Sequence, residues 1–472
     1  MLMVIQTPGE ELRPSIRQRP LWKVPQLGLL VFAIAFLYWK ACPLDPTKTP
    51  DRSLYNANPT IIDDMASCSS TDYDRCQSIV ACETLWFGFN ISDSDGHWRL
   101  FDSSNPTVDG RLSGTIIIEE GSRSQTSDVE VEYGLRSSST TDHHNVVFNQ
   151  SESSLSMNYL PPDDDGDVCT EILLRVSLRP ESPRRLLDSL EIRSEMLMIW
   201  VWGFSWQINH FITRNSRGVT FYSAGKEAPE IRPRKWSASS TTGLITGAWV
   251  FDGTIEVGTE SGHVGLLLVP QHVPRSPKGP SIRPDSLSVK SKSGDVELNM
   301  LWEYWTEQPF THHTHVSTVS GKISADIPHG SLTNLSSISG DIDARLQPFA
   351  ATGPHDASAI YTSTQSGRTV FYLDNTNREP LDELYDPLLS TASKHHVGDG
   401  EMKLRYPFSW FGSMDATVGE GSIKFGGSAL DEVEEGEGFV KAVRGRGAGS
   451  RMEAHVNKGT MDVTLGIWDT DE

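Results

Sequence analysis

Residues 315–346 read HVSTVSGKISADIPHGSLTNLSSISGDIDARL and contain one phrase twice: an alternating apolar–polar run, a Ser-Gly step, and a second alternating run. Gly321 and Gly340 are 19 residues apart, as are Gly243 and Gly262. After each step the apolar residues fall on every second position, Ile323, Ala325 and Ile327 in one copy and Ile342, Ala344 and Leu346 in the other. A period of two is that of a strand with one buried face. The glycine admits a tight turn, and a serine or threonine beside it can hydrogen-bond the turning backbone.

Related steps run through the C-terminal half, at Gly218, Gly243, Gly262, Gly294, Gly321, Gly340 and Gly367, with degenerate copies at Gly421 and Gly459. One unit cannot bury its apolar row alone, so the units must stack, and their unequal spacing places loops of varying length between them. The expected fold is all-β: a β-solenoid or β-roll-like stack of short strands, with repeat turns at Gly243, Gly262, Gly294, Gly321, Gly340 and Gly367. The competing arrangement is an antiparallel sandwich whose hairpins happen to use Ser-Gly turns. Residues 374–412 read as a polar insert that interrupts the series, with LDELYDPLL inside it as a short helix.

The phrase, as in Ser293-Gly-Asp-Val-Glu-Leu and less perfectly in Ser339-Gly-Asp-Ile-Asp-Ala, resembles the reiterated S-[GS]-x-[IV]-x-[VIL] motif of the "putative adhesin" domain family, a domain of unknown function in bacteria and fungi. The resemblance covers roughly residues 190–470. Fungal members look similar in layout, with a basic tail, one span and then repeats. The resemblance implies a repetitive all-β exterior domain with no established catalytic site and no assigned ligand.

Upstream, residues 1–23 carry Arg13, Arg17, Arg19 and Lys23 and lead into an apolar run closed by Lys40. Residues 24–40 are expected to be a transmembrane signal anchor, slightly short for a hydrocarbon core of ~30 Å, with a cleaved signal peptide as the alternative. The basic residues precede the span, so the positive-inside rule makes this a single-pass type II protein, lumenal or extracellular after residue 40. Residues 41–80 form a Pro/Ser/Asp-rich stalk, residues 81–190 an N-terminal β region and residues 191–472 the repeat region. Sequons at Asn90, Asn149 and Asn334 lie beyond the span and are N-glycosylation candidates there. Cys68, Cys76, Cys82 and Cys169 are disulfide candidates whose pairing is open, and Cys42 sits at the membrane face.

The net charge of −21 argues against nucleic acid, which needs a basic face to neutralise phosphates. There is no CxxC pair, P-loop, GxSxG elbow or HExxH. His312, His313 and His315 crowd one copy and read as a surface histidine cluster rather than a metal site. The acidic loop at residues 161–167 lacks EF-hand spacing and reads as a solvated turn. Residues 196–206, MLMIWVWGFSW, read as core strands with aromatic filling. No catalytic, cofactor or metal residues stand out. The expected function is that of a non-catalytic membrane protein presenting an adhesin-like β-repeat ectodomain to cell-wall glycan or another surface protein. The alternatives are an exported polysaccharide-acting enzyme on the same scaffold, and a glycosylated structural spacer.

Overall fold

The computed structural model describes residues 81–467 apart from 92–95, 105–111, 141, 161–168, 181–185, 203–205, 223–232, 271–283, 301–310, 349–356, 376–387, 389 and 446–448. The expected tail, span and stalk, Cys42, Cys68 and Cys76, the acidic loop and nearly all of LDELYDPLL lie outside the described residues. Among the described residues no helix is long and apolar enough to cross a membrane.

The N-terminal strands are β1 (Ala81–Phe89), β2 (His97–Asp102), β3 (Leu112–Glu120), β4 (Val129–Ser137), β5 (Val146–Gln150), β6 (Ser154–Tyr159) and β7 (Thr170–Leu178). Strands then come in pairs separated by a short corner: β8 (Leu186–Ser194) and β9 (Met198–Trp202), β10 (Gln207–Asn215) and β11 (Gly218–Tyr222), β12 (Lys235–Ser240) and β13 (Leu244–Phe251). The pattern continues in β14 (Gly253–Thr259) and β15 (Val264–Pro270), β16 (Pro284–Ser291) and β17 (Val296–Met300), β18 (His313–Thr318) and β19 (Ile323–His329), β20 (Leu332–Ser337) and β21 (Ile342–Pro348). From β22 (Ser358–Leu373) and β23 (Thr391–Pro407) onward the two members fuse into one long strand, as also in β24 (Gly412–Gly427). A hairpin, β25 (Glu432–Gly436) and β26 (Phe439–Arg444), precedes the final long strand, β27 (Ser450–Ile467).

Each short strand pairs in parallel with the strand two further along the chain. The even-numbered strands β8 to β20 make a first ladder, and the odd-numbered strands β9 to β21 make a second. β22 joins them, since Leu332 of β20 pairs with Ala359 in its first half and Ile342 of β21 with Thr369 in its second. The parallel register excludes an antiparallel sandwich for this part of the chain. It also explains why pattern alone left the choice open, because strand periodicity is the same in both arrangements.

Alternate residues of both ladders are buried and form one continuous apolar cluster. Leu287 and Val289 before a corner and Val296 and Leu298 after it are all in it, as are Ile323, Ala325, Ile327, Ile342, Ala344 and Leu346. Within residues 196–206, β9 behaves as expected in part: Ile199 and Val201 point into the core, while Met198 and Trp202 are partly exposed on its other side.

The corners show why glycine recurs. A Cβ on Gly262 would lie 1.8 Å from the carbonyl oxygen of Gly243, one on Gly294 1.8 Å from that of Gly262, and one on Gly321 2.1 Å from that of Gly294. The column runs on through Gly340 and Gly367 to Gly400, Gly459 and Gly421. Gly400 belongs to β23, which lies inside the stretch read above as a polar insert, so residues 391–407 are a full member of the stack. The Ser-Gly pattern passes over it because Gly400 follows an aspartate instead of a serine.

At four of these corners the hydroxyl that accepts from the glycine is also not the one adjacent to it. It lies three residues earlier, at the end of the incoming strand. Gly243, Gly262, Gly294 and Gly340 donate their N–H groups to Ser240 Oγ, Thr259 Oγ1, Ser291 Oγ and Ser337 Oγ at 2.9, 2.9, 2.9 and 2.7 Å. In β23, β27 and β24 the same register holds Val397, Val456 and Val418. There the chain passes through the corner without a turn, and Gly400, Gly459 and Gly421 take φ of 152°, 139° and 139°, where a side chain is strained.

Both ends of the stack break sequence order in the same way. β2 and β3 lie between β6 and β8 and between β7 and β9, and β27 lies between β23 and β24. Antiparallel strands then cover the ends: β5 on β6, β4 on β7 and β1 on β4, with β26 on the first half of β24 and β25 on β26.

Candidate functional site

The outward side chains of the first ladder fall into rows because its strands are in register. One row runs Ser237, Glu256, Ser288, His315, Asn334, Tyr361, Lys394, Glu453 and Asp415, one residue per strand from β12 to β24. Parallel rows carry Lys235, Thr254, Ser286 and His313 on one side and Ser239, Lys290, Ser317, Ser336, Ser363, His396, His455 and Thr417 on the other. From β10 to β24 this face spans ten strands, about 43 Å at ~4.8 Å per strand.

Neighbouring side chains on the face are tied to one another. Lys235 pairs with Glu256 at 2.8 Å and Lys394 with Glu453 at 3.1 Å. His455 contacts Thr417 Oγ1 through Nδ1 at 2.8 Å and stacks on His396 with ring centroids 5.5 Å apart. Burial first, and His455 second, hold His396 below the ordinary histidine range. Burial, with Lys235 next to it, does the same for His210, which contacts Ser237 Oγ at 3.0 Å. The face therefore offers hydroxyls, paired charges and, at His210 and His396, imidazoles that are neutral at neutral pH, a surface suited to many weak hydrogen bonds.

The histidine trio divides across the strand. His313 and His315 point outward, but His312 is buried with His329 and Phe251, so the three are not one surface cluster. Burial lowers His312 to about 3 and His329 to about 4. Among the described residues no group of three or more His, Cys, Asp or Glu is arranged to hold a metal ion.

Two constellations resemble catalytic ones. His395 lies between Thr362 Oγ1 at 2.8 Å and Tyr406 Oη at 2.7 Å, with burial lowering it to about 3 and raising the Tyr406 phenol. All three are closed off from solvent, so no substrate reaches them and their role is to satisfy one another in the core. On β3, β4 and β7, Arg175 lies 3.2 Å from Glu119 and 3.7 Å from Glu132, and Arg136 lies 3.9 Å from Glu171. Burial pushes Glu171 up to about 7 despite that arginine. Perturbed carboxylates mark candidate acid–base sites only where a cavity meets them. The cleft at this end, about 650 Å³, is lined by Gly88–Ile91, His97 and Gln150–Ser153 and shares no residue with the carboxylates.

Of the sequons, Asn90 is exposed at the rim of that cleft, Asn149 is exposed on β5, and Asn334 faces outward, half-buried, in the middle of the first-ladder face. Cys169 is disulfide-bonded; the side chain of Cys82 is outside the described set. The hydroxyl positions Ser240, Thr259, Ser291, Thr318, Ser337 and Thr364 escaped the sequence reading, although each precedes its glycine by three residues and the spacing is visible in the sequence.

No family model matches the chain, and no curated protein matches it. Among solved structures it is similar to a "putative cell adhesion protein" from Clostridium sporogenes at 8% identity, covering 82% of this chain and 99% of that one, with a TM-score of 0.16. It is also similar to a "putative adhesin" from Parabacteroides distasonis at 7% identity, covering 82% and 97%, with a TM-score of 0.26. A "putative lipid binding protein" from the same organism matches at 8% identity over 82% and 97%, with a TM-score of 0.24. Scores this low do not establish a shared fold, and what those proteins bind belongs to them alone.

Proposed function

We propose that this chain is a non-catalytic, single-pass type II membrane protein whose stacked rungs form a β-solenoid, presented on the lumenal or extracellular side for interaction with cell-wall glycan or another surface protein. The observation that carries the reading is the outer face of the first ladder. It is polar and in register over ten strands, so it suits an extended ligand better than a small one. The side of the membrane rests on the basic residues before 24–40 and on the three sequons after it.

Topology is tested by expressing the full chain in a eukaryotic secretory system and treating it with an endoglycosidase. The expected result is a mobility shift lost in an Asn90→Gln/Asn149→Gln/Asn334→Gln variant. An unmodified, cytosol-accessible chain would overturn the exported reading.

One observation favours a second reading, a glycosylated spacer without a specific ligand. Asn334 stands between His315 and Tyr361, where a glycan would cover the centre of the face. Glycan occupancy at Asn334 in the mature protein, with no binding gained by Asn334→Gln, would favour the spacer.

A further inference from the structure

The two halves of β24 end the stack differently. Its first half is covered by β26, from Gly412 opposite Arg444 to Thr417 opposite Phe439. Its second half, residues 420–427, pairs with β27 on one side, and among the described residues nothing pairs with the other. The inward Ile423 and Phe425 are only partly buried against the core there, and a Cβ on Gly426 would meet nothing within 4 Å. An edge of this kind presents unpaired N–H and C=O groups to any strand that fits.

Charge says which strand fits. On the outer side of the last strands the sign alternates from one strand to the next: Asp399, Lys458, Glu420 in one row and Lys403, Asp462, Lys424 in another. Glu420 Oε2 lies 3.8 Å from Lys458 Nζ. The next strand in the series must therefore place a cation beside Glu420 and an anion beside Lys424. The same segment, turned antiparallel, meets both requirements, whereas parallel self-pairing would set Glu420 on Glu420.

We propose that residues 420–424 pair antiparallel with the same residues of a second copy of this chain, about a two-fold axis at Ser422. Glu420 of each copy then faces Lys424 of the other, and Gly419 leaves room for the ring of Phe425. The contact is isologous, so it closes as a dimer and does not propagate. The hairpin β25–β26, on the first half of the strand, confines the contact to the segment beyond the corner.

Residues opposed on antiparallel strands have Cα atoms about 4.5–5.5 Å apart, within disulfide range. The full chain in detergent micelles carrying Ser422→Cys is therefore expected to cross-link to itself under mild oxidation, much faster than Ser413→Cys, an exposed position on the covered half of the same strand. In sedimentation, Glu420→Lys and Lys424→Glu should each weaken the dimer about three- to tenfold, as like charges on opposed strands repel. The double variant E420K/K424E should restore it. A monomer at every concentration, equal cross-linking at the two cysteines, or a double variant no stronger than the single ones would overturn the proposal.

Discussion

Gly459 lies against Gly400: a Cβ on Gly459 would sit 1.8 Å from the Gly400 carbonyl oxygen, although β24 and the β25–β26 hairpin separate the two in the chain. The contact brings the last strand into a column that began at Gly243. It also sets the distance at which neighbouring corners stack. Substitution by alanine should force the backbones apart. Gly459→Ala and Gly294→Ala are each expected to cost about 3 kcal/mol or more, from overpacking in both and left-handed strain in the first. Gly258→Ala, with nothing within 4 Å of its Cβ, should be neutral or stabilise by up to about 1 kcal/mol. Urea unfolding of the three variants separates a column of required glycines from a generally turn-rich composition.

The corner hydroxyls make a sharper prediction because two serines of one corner, two residues apart, differ in role. Ser291 Oγ accepts from Gly294 N–H inside the corner, whereas Ser293 Oγ makes only an exposed 3.4 Å contact with the Glu260 carbonyl. Ser291→Ala leaves a buried N–H without its acceptor and should cost about 1–3 kcal/mol. Ser293→Ala should stay within about 0.5 kcal/mol. Equal effects would show that the hydroxyl three residues before the glycine is not the one that matters.

Acid should weaken the fold. His312, His329 and His395 are buried at about 3, 4 and 3, below the ordinary histidine value of about 6.5. The unfolded chain therefore takes up protons that the folded chain refuses as pH falls from about 6.5 towards 4. Stability is complete above the unfolded value and is lost below it. Between pH 7 and pH 5 each histidine costs roughly 2 kcal/mol. Glu171 acts in the opposite sense: raised to about 7, it binds a proton in the folded state first and returns about as much as one histidine removes. Burial also raises Glu119 and Glu132, which adds to that offset. The urea midpoint is expected to fall between pH 7 and pH 5, and to fall further in Glu171→Gln.

The C-terminal strand is structural. β27 pairs with β23 through residues 392–407 and with β24 through residues 412–427, so removing it takes out an interior strand. Truncation after Gly449 should abolish the cooperative unfolding transition. A truncated chain that retained it would show that β23 and β24 can close on each other without β27.

Periodicity made most of the repeat region legible. The apolar rows of β16 to β21 are buried as their alternation required, because a stack of strands needs only those rows to exclude water. Sequence pattern could not reveal the order of the last strands. Gly400, Gly459 and Gly421 occupy successive column positions in an order that the chain does not follow, and strand order depends on pairing between distant segments. The candidate face was half legible. His313 and His315 share a side, as alternate residues must, but His312 falls on the other and joins the core beside Phe251. The acceptor role of Ser240, Thr259, Ser291 and Ser337 went unseen because turn chemistry draws attention to the residue beside the glycine, whereas a parallel corner takes its hydroxyl from the end of the incoming strand.

The most direct test of the account is retention of the full-length protein on insoluble cell-wall polysaccharide and on a glycan array, comparing the wild type and Asn334→Gln with Tyr361→Ala/Lys394→Glu on the first-ladder face and Glu297→Ala on the second. A glycan is expected to retain the wild type, Asn334→Gln and Glu297→Ala, and the double substitution at Tyr361 and Lys394 to release the protein. Absence of retention for both the wild type and Asn334→Gln, or retention that the double substitution leaves unchanged, would contradict it.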